Sequence, residues 1–155
     1  MIQPGRLVSA AFFLGLFTVA AQWGTALAAG QGSSGEKPYK VNEACRKGDA
    51  QNCKVDMKTY IGWRTFNAFC SRCHGEAAEG SSIAPNLMDR IQQKHMTFSD
   101  FVQVVASGKK GSMGVMPAWG QNPNVNNKFE QLWAYLQART DGVLPPGRPG
   151  KLRNE

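Results

Sequence analysis

Residues 70–74 have the types and the spacing that could attach a cofactor covalently. They read Cys70-Ser71-Arg72-Cys73-His74. Two thiols one helical turn apart can add to the two vinyl groups of one porphyrin, and the histidine that follows can then coordinate the iron. The C-x-x-C-H spacing therefore predicts one covalent haem c, bonded to Cys70 and Cys73 and ligated by His74.

Two other kinds of site use closely spaced cysteines, and the sequence favours neither. A thioredoxin-type redox pair occurs within a β-α-β pattern, which is absent around residues 70–74. A four-cysteine zinc site needs a second close pair, but seven residues separate Cys45 from Cys53. The histidine directly after Cys73 decides for haem.

The second axial ligand determines whether such an iron carries electrons or binds other molecules. Met116 lies in a predicted loop between two helices, where Pro117 stiffens the chain, and a thioether there would stabilise ferrous iron. Met113, three residues earlier, is the rival distal ligand. His95 is the only histidine besides His74, and we expect it at the surface. Three further methionines are predicted to be core residues: Met57, Met88 and Met96.

Helical patterns on both sides of the motif predict an all-α domain with long loops. A helix over residues 56–69, capped by Asp56, leads into Cys70. A second begins at the capping box of residues 97–100 and ends at Gly108. A third, amphipathic helix covers residues 125–139, and no alternating run is long enough for a sheet.

The first 28 residues are typical of an export signal. Arg6 supplies positive charge, residues 7–21 are almost all apolar, and Ala26-Leu27-Ala28 fits a cleavage site. A membrane anchor is the alternative, but the apolar run is shorter than the roughly 20 residues of a spanning helix. We expect cleavage near Ala28/Ala29, a periplasmic protein and no transmembrane span after cleavage.

The rest of the chain divides into three predicted parts. Residues 29–42 are a flexible leader, residues 43–140 form one domain, and residues 141–155 are an extended Pro/Gly-rich tail. Removing Arg6 from the 18 basic residues leaves 17 against 11 acidic ones, a formal charge of +6. This charge favours acidic partner surfaces or anionic lipid, and an ordinary solvated surface is the alternative. We expect no nucleic-acid partner, because the protein is predicted to be exported from the cytoplasm.

Cys45 and Cys53 stand at the two ends of a polar loop that contains Gly48 and Asn52. Such a loop can turn back so that its ends meet. In an oxidising compartment we therefore expect a Cys45–Cys53 disulfide. The alternative is two free thiols on a mobile loop.

The order of these features resembles the class I cytochromes c. Gly62 and Phe66 precede the haem motif, Ala84-Pro85-Asn86-Leu87 and Met116-Pro117 follow it, and Tyr135-Leu136 lies on the last helix. The resemblance implies that Gly62 and Phe66 cross Tyr135 where the first and last helices meet. It also implies that the Pro85 carbonyl accepts a hydrogen bond from His74, and that Met116 is the distal ligand.

A narrower resemblance is to the periplasmic cytochromes associated with quinoprotein alcohol and methanol dehydrogenases. It rests on segments spread along the chain: Tyr39-Lys40-Val41, Val55-Asp56, Gly62-Trp63, Val115-Met116-Pro117-Ala118, Asn122-Pro123-Asn124-Val125 and Gly147-Arg148-Pro149. That group commonly has a short turn where this sequence places Cys45 and Cys53. The two cysteines resemble the four-cysteine, methanol-metabolism-related branch.

These resemblances imply an electron-transfer protein and not an enzyme. Its electron would come from a quinoprotein dehydrogenase and leave for a downstream cytochrome or terminal oxidase. Four basic residues are expected to steer acidic partners to the haem edge: Arg72, Lys94, Lys109 and Lys110. One alternative is a haem sensor or enzyme with a labile distal site. Another is a haem subunit tightly bound to its dehydrogenase, with residues 144–153 as a docking strap, although disorder is the simpler expectation for this tail.

Overall fold

The computed structural model describes residues 36–153. The predicted export signal and the first half of the predicted leader therefore lie outside the described residues. The helices are α1 (Glu43–Arg46), α2 (Met57–Phe69), α3 (Ser71–His74), α4 (Leu87–Gln93), α5 (Phe98–Ser107), α6 (Pro123–Asn126) and α7 (Phe129–Thr140). The strands are β1 (Lys54–Val55), β2 (Lys109–Lys110), β3 (Val115–Met116) and β4 (Gly150–Lys151). The predicted all-α class is confirmed, since the strands in the described part of the chain form two short pairs, β1 with β4 and β2 with β3.

Helices α2 and α7 pack against each other and form the centre of the fold. Asp56 caps α2 by accepting a hydrogen bond from the Thr59 amide at 2.8 Å. At Gly62 the backbones are so close that a Cβ atom would overlap the carbonyl of Gln131. One turn later the Phe66 and Tyr135 rings lie 5.1 Å apart. The crossing implied by the resemblance is thus present, and only glycine fits at its closest point.

Helix α5 covers a second side of α7. The predicted capping box is confirmed, because Thr97 and Asp100 each bond the other's backbone amide. Phe101 packs on Trp133 of α7 with ring centroids 5.3 Å apart. The helix ends at Gly108, whose φ of +72° suits glycine. A side chain there would collide with the backbone of residues 116–118, so this glycine brings the Met116 segment close to the end of α5.

The last predicted helix is interrupted. The sequence pattern predicted one helix over residues 125–139, but α6 ends at Asn126 and α7 begins at Phe129. Pro123 starts α6 early, and the Asn122 side chain caps it by accepting from the Asn124 amide. The Asn126 side chain donates to the Gly120 carbonyl at 2.9 Å. Asparagine side chains that bond nearby backbone favour turns over helix, which accounts for the break.

Both ends of the described chain meet at β1. On one side Val41 bridges Val55, and on the other β4 pairs with β1 in parallel. Tyr39 is buried and its hydroxyl donates to Asp141 at 2.5 Å. The last residues of the predicted flexible leader are therefore packed against the domain, because a buried tyrosine and backbone hydrogen bonds hold them.

Cys45 and Cys53 are joined by a disulfide and are both buried. Between them, the Asp49 carboxylate accepts hydrogen bonds from the amides of Gln51 and Asn52, which closes the loop. The disulfide connects the end of α1 to the residue just before β1. It thereby fixes the strand on which both chain ends depend. No helix among residues 36–153 is long and apolar enough to cross a membrane.

Removing the disulfide should destabilise the protein. For the double variant Cys45→Ala/Cys53→Ala, we expect the free energy of unfolding to fall by about 2–3 kcal/mol, because the unfolded chain gains entropy when a short loop is opened. Urea unfolding of the haem-loaded protein measures this free energy of unfolding. Dithiothreitol should produce the same loss in the wild type and no further loss in the variant. A variant as stable as the oxidised wild type would contradict the expectation.

Candidate functional site

The C-x-x-C-H motif forms a tight turn at the end of α2. Cys70 ends α2, and its carbonyl accepts hydrogen bonds from the amides of Cys73 at 3.2 Å and His74 at 3.0 Å. Cys73 and His74 lie on the short helix α3. Among the described residues, Cys70 and Cys73 are the cysteines that form no disulfide, and both are half-buried. The structure therefore presents two free thiols one turn apart, followed directly by a histidine.

His74 is oriented through its Nδ1 atom. The side chain is 7% exposed, and Nδ1 lies 3.1 Å from the Pro85 carbonyl oxygen. A carbonyl oxygen only accepts hydrogen bonds, so Nδ1 carries the proton and donates it. The Nε2 lone pair is then the one left for a metal, and the carbonyl increases its donor strength. The contact between His74 and Pro85 is the one that the sequence resemblance implied.

The loop between His74 and Pro85 is folded tightly back on the motif. The Gly80 amide donates to the His74 carbonyl at 2.7 Å, and the Ser81 hydroxyl donates to the Cys73 carbonyl at 2.6 Å. Gly80 has a φ of +88°, and a Cβ atom there would lie 2.5 Å from the Asn86 amide nitrogen. The loop thus needs glycine at this position. Sequence reasoning gave Gly80 and Ser81 no role, since their contacts depend on the loop conformation.

Arg139 fixes the same loop from α7. Its Nε and Nη2 atoms both donate to the Ala77 carbonyl, each at 3.1 Å, and Nη1 donates to the Leu144 carbonyl. One guanidinium therefore connects the loop after the haem motif to the start of the C-terminal tail. Sequence reasoning missed this role. The only available signal was a basic residue within the last helix, which is also typical of ordinary helix ends.

Met116 and Met113 differ clearly in their surroundings. Met116 lies on β3, where Lys109 of β2 is its antiparallel partner, and it packs against the hydrophobic core. Met113 is 47% exposed. The backbone of Gly114 lies so close to Ile83 that a Cβ atom would be 2.8 Å from the Ile83 carbonyl oxygen. The segment that carries Met116 therefore borders the stretch that leads to Pro85.

The other candidate residues lie away from this arrangement. His95 is exposed just after the end of α4, as expected for a surface residue. Met96 packs against the core. Met57 is 47% exposed, so its prediction as a core residue was wrong. It stands nine residues before the buried Phe66, and at 100° per residue that places it on the opposite side of α2.

The surroundings of the cysteines fit neither a thiol–disulfide exchange pair nor a four-cysteine zinc site. Burial, with a smaller contribution from Cys73, raises the pKa of the Cys70 thiol to about 12. A thiol–disulfide exchange pair needs the opposite shift. The second pair, Cys45 and Cys53, is already used in a disulfide. Within residues 36–153, no group of three or more His, Cys, Asp or Glu side chains is placed to hold a metal ion.

The donor set fits a haem c. Two free thiols in C-x-x-C spacing suit two thioether bonds, and a buried imidazole with its Nδ1 proton engaged suits axial ligation. The two glycines of the loop, Gly75 and Gly80, both have positive φ and allow the chain to fold back beside the histidine. The residues present are therefore those that such a group requires.

Known proteins with similar sequences and structures are consistent with this site. The family model described as "Cytochrome C oxidase, cbb3-type, subunit III" matches residues 59–136. Cytochrome c-553I of Paracoccus denitrificans is 42% identical over 110 residues, which cover 68% of this chain and 48% of that protein. Cytochrome c-555 of Methylococcus capsulatus is 32% identical over 99 residues, which cover 63% of this chain and 76% of that protein. The chain thus spans about half the length of the first of these curated relatives.

A solved structure also matches. The crystal structure of c-type cytochrome XoxG from Methylobacterium extorquens AM1 superposes with a TM-score of 0.60 at 30% sequence identity. The match covers 79% of this chain and 77% of that one.

Loss of the Arg139 guanidinium should loosen the loop after the motif. For Arg139→Gln we expect the free energy of unfolding to fall by about 2–3 kcal/mol, because two part-buried carbonyls lose charged donors. In hydrogen-exchange measurements we also expect the amides of Ala78 and Gly80 to exchange faster in the variant than in the wild type. The amides of α5 should exchange at the same rate in both proteins. Arg90→Gln is the matched control, since Arg90 is exposed, and its effect should stay within about 0.5 kcal/mol. Unchanged exchange at Ala78 and Gly80 in the Arg139 variant would exclude this role.

Proposed function

Because this chain belongs to the class I c-type cytochromes, we propose that it carries single electrons from a quinoprotein alcohol dehydrogenase, such as a methanol dehydrogenase, to a downstream cytochrome or terminal oxidase. Proteins of this family transfer electrons and contain covalently bound haem c. When bound, the haem supplies an iron that takes up and releases one electron. The single observation that carries the proposal is the hydrogen bond from His74 Nδ1 to the Pro85 carbonyl.

Cys70, Cys73 and His74 are proposed to hold the haem. The two cysteine sulfurs would form the thioether bonds, and His74 Nε2 would ligate the iron on one side. The Pro85 carbonyl keeps the imidazole in one orientation, since it holds the Nδ1 proton. Arg139 and the hydroxyl of Ser81 fix the backbone around the motif. A rigid set of ligands suits electron transfer, because both oxidation states then fit nearly the same geometry.

Met116 is proposed as the ligand on the other side of the iron. Its side chain is half-buried against the core, and pairing with Lys109 fixes its backbone. Met113 is the weaker candidate because half of its surface is exposed, so more ordering would be needed to hold it at an iron. A thioether ligand favours the ferrous state and raises the reduction potential.

A sensor or enzyme with a labile distal site is less well supported. Such a protein needs an acid or base near the open position. The sequence offered His95 for this role, but His95 is exposed in the short connection between α4 and α5. The surroundings of Met116 and the family of the chain both favour a carrier of electrons.

The quinoprotein donor is proposed from the sequence segments that resemble its cytochrome partners. Together with the predicted export signal, they support a periplasmic carrier. The surface supports protein partners: Arg72, Lys94, Lys109 and Lys110 are all exposed. Val115, the strand partner of Lys110, exposes 71% of its surface, and Ile83, which borders Gly114 of the same hairpin, exposes 54%. Exposed apolar side chains next to basic residues suit a transient complex with an acidic redox partner.

The ligand assignment can be tested by absorption spectroscopy on the haem-loaded protein. The wild type should show sharp reduced α and β bands and a weak near-infrared sulfur-to-iron band in its oxidised form. We expect Met116→Ala to lose that near-infrared band, because its iron loses the thioether. Met113→Ala is the matched control and should keep it. If the band persisted in Met116→Ala and vanished in Met113→Ala, Met113 would be the ligand. If the reduced wild type bound carbon monoxide readily, the sensor or enzyme would be favoured instead.

The steering role of the basic residues can be tested by kinetics. For Lys109→Glu/Lys110→Glu we expect slower electron transfer from a methanol dehydrogenase at low salt, and a weaker dependence of the rate on ionic strength, because attraction at long range is lost. Lys37→Glu/Lys47→Glu changes the net charge equally and serves as control, since Lys37 and Lys47 pair with Asp141 and Glu43. Stopped-flow spectroscopy gives the rates. An unchanged rate at Lys109 and Lys110 would end the steering proposal.

A further inference from the structure

The C-terminal tail is an ordered part of the surface. Gly150 donates its amide to the Cys53 carbonyl at 2.8 Å, and Leu152 donates to the Val55 carbonyl at 2.9 Å. Pro149 and Leu144 are buried. Backbone pairing and buried side chains thus hold residues 144–152 on the domain. The tail is therefore neither disordered nor a free strap, and it gives a fixed position to the charges it carries.

Two of those fixed charges form one patch with a lysine of β1, and we name this patch the tail face: Lys54, Arg148 and Lys151. The Arg148 guanidinium carbon lies 5.8 Å from the centre of the Trp63 ring, and its Nη2 donates to the Tyr60 hydroxyl at 3.0 Å. The Lys151 ammonium lies 5.4 Å from the centre of the Tyr60 ring. Lys54 is the strand partner of Gly150, next to Lys151. The rings of Trp63 and Tyr60 thus make cation–π contacts with Arg148 and Lys151.

No carboxylate neutralises the tail face within residues 36–153. The salt bridges found there join Lys37 to Asp141, Lys47 to Glu43 and Lys58 to Glu130. Asp56 directly follows β1, but its carboxylate accepts hydrogen bonds from the amides of Thr59 and Lys40. The three cations of the tail face therefore form no ion pair in the described part of the chain, and their mutual repulsion favours an anionic ligand.

We propose that the tail face is a docking surface for a carboxylate-rich segment of a partner protein. Tyr60 occupies one of the five guanidinium N–H groups of Arg148, and among residues 36–153 no other hydrogen bond uses the rest, which suits the two-pronged contact that guanidinium makes with carboxylate. Because the aromatic contacts already order Arg148 and Lys151, little side-chain entropy is lost on binding. A protein partner fits better than a membrane, since the small ring of Pro146 is the one apolar side chain among the exposed residues of 144–153, which are Pro146, Gly147, Arg148, Gly150, Lys151 and Arg153.

The tail face is built from other elements than the hairpin in the proposed surface around the haem. Trp63 precedes Cys70 by seven residues, which corresponds to roughly 10 Å along the axis of α2. Lys109 and Lys110 belong instead to the hairpin of β2 and β3. A partner can therefore be held at the tail face by contacts that do not involve the hairpin. The inference goes beyond the proposed electron transfer and does not depend on the identity of the donor.

The experiment is a titration of the reduced, haem-loaded, ¹⁵N-labelled protein with a decaglutamate peptide, followed by NMR. We expect the indole N–H of Trp63 and the amide of Gly150 to shift as the peptide binds. For Arg148→Gln/Lys151→Gln we expect affinity to fall about tenfold, since two contacts with carboxylates are lost. Lys47→Gln/Arg90→Gln removes the same charge at exposed residues outside both proposed surfaces and should weaken binding less than about threefold.

Several outcomes would overturn the proposal. An equal loss of affinity in both double variants would mean that the peptide responds only to net charge. Absence of shifts at Trp63 and Gly150 would place binding elsewhere. Shifts with phosphatidylglycerol vesicles but not with the peptide would indicate a membrane surface. If the Arg148→Gln/Lys151→Gln variant loses the β1–β4 pairing, the variant Lys54→Gln is used in its place, because the side chain of Lys54 makes no hydrogen bond in the described residues. For Lys54→Gln we expect a severalfold loss of affinity.

Discussion

The close approach of α2 to α7 at Gly62 is the constraint on which the other parts depend. Glycine at this position lets the two backbones touch, and the Phe66 and Tyr135 rings fill the space beyond. The crossing fixes the end of α2, where Cys70 begins the haem motif. It also fixes α7, which carries Arg139 to the loop beyond that motif. A larger residue at Gly62 would separate the helices and so displace both sets of contacts together.

The histidine is positioned by a loop that is held from several directions. Pro85 engages its Nδ1 atom, Gly80 and Ser81 bond the carbonyls of the motif, and Arg139 binds the carbonyl of Ala77. Most of these are bonds to backbone, so the loop keeps its shape without a regular secondary structure of its own. Such a loop can present one ligand rigidly although it lies at the surface. The fold thereby combines a small core with a well-defined site.

Local signals in the sequence predicted the parts that depend on local chemistry. The capping box at Thr97, the cap at Asp56 and the C-x-x-C-H motif all have partners within a few residues, so their geometry follows from spacing. The family resemblance added the contact between His74 and Pro85. Arg139, the packed Tyr39 and the break between α6 and α7 were not predicted, because each depends on a partner that folding brings near. Met57 was placed in the core from residue type alone, although the helical period puts it opposite Phe66.

The strand β1 is only two residues long, yet it joins both ends of the described chain to the same place. In most domains the two termini fray independently, each with a small cost in free energy. Here the loss of β1 would release the segment before α1 and the segment after α7 in one event, and the disulfide beside β1 opposes that event. Proteases that cleave locally unfolded segments would therefore find both of these segments protected by one short structure, whose opening controls access to both.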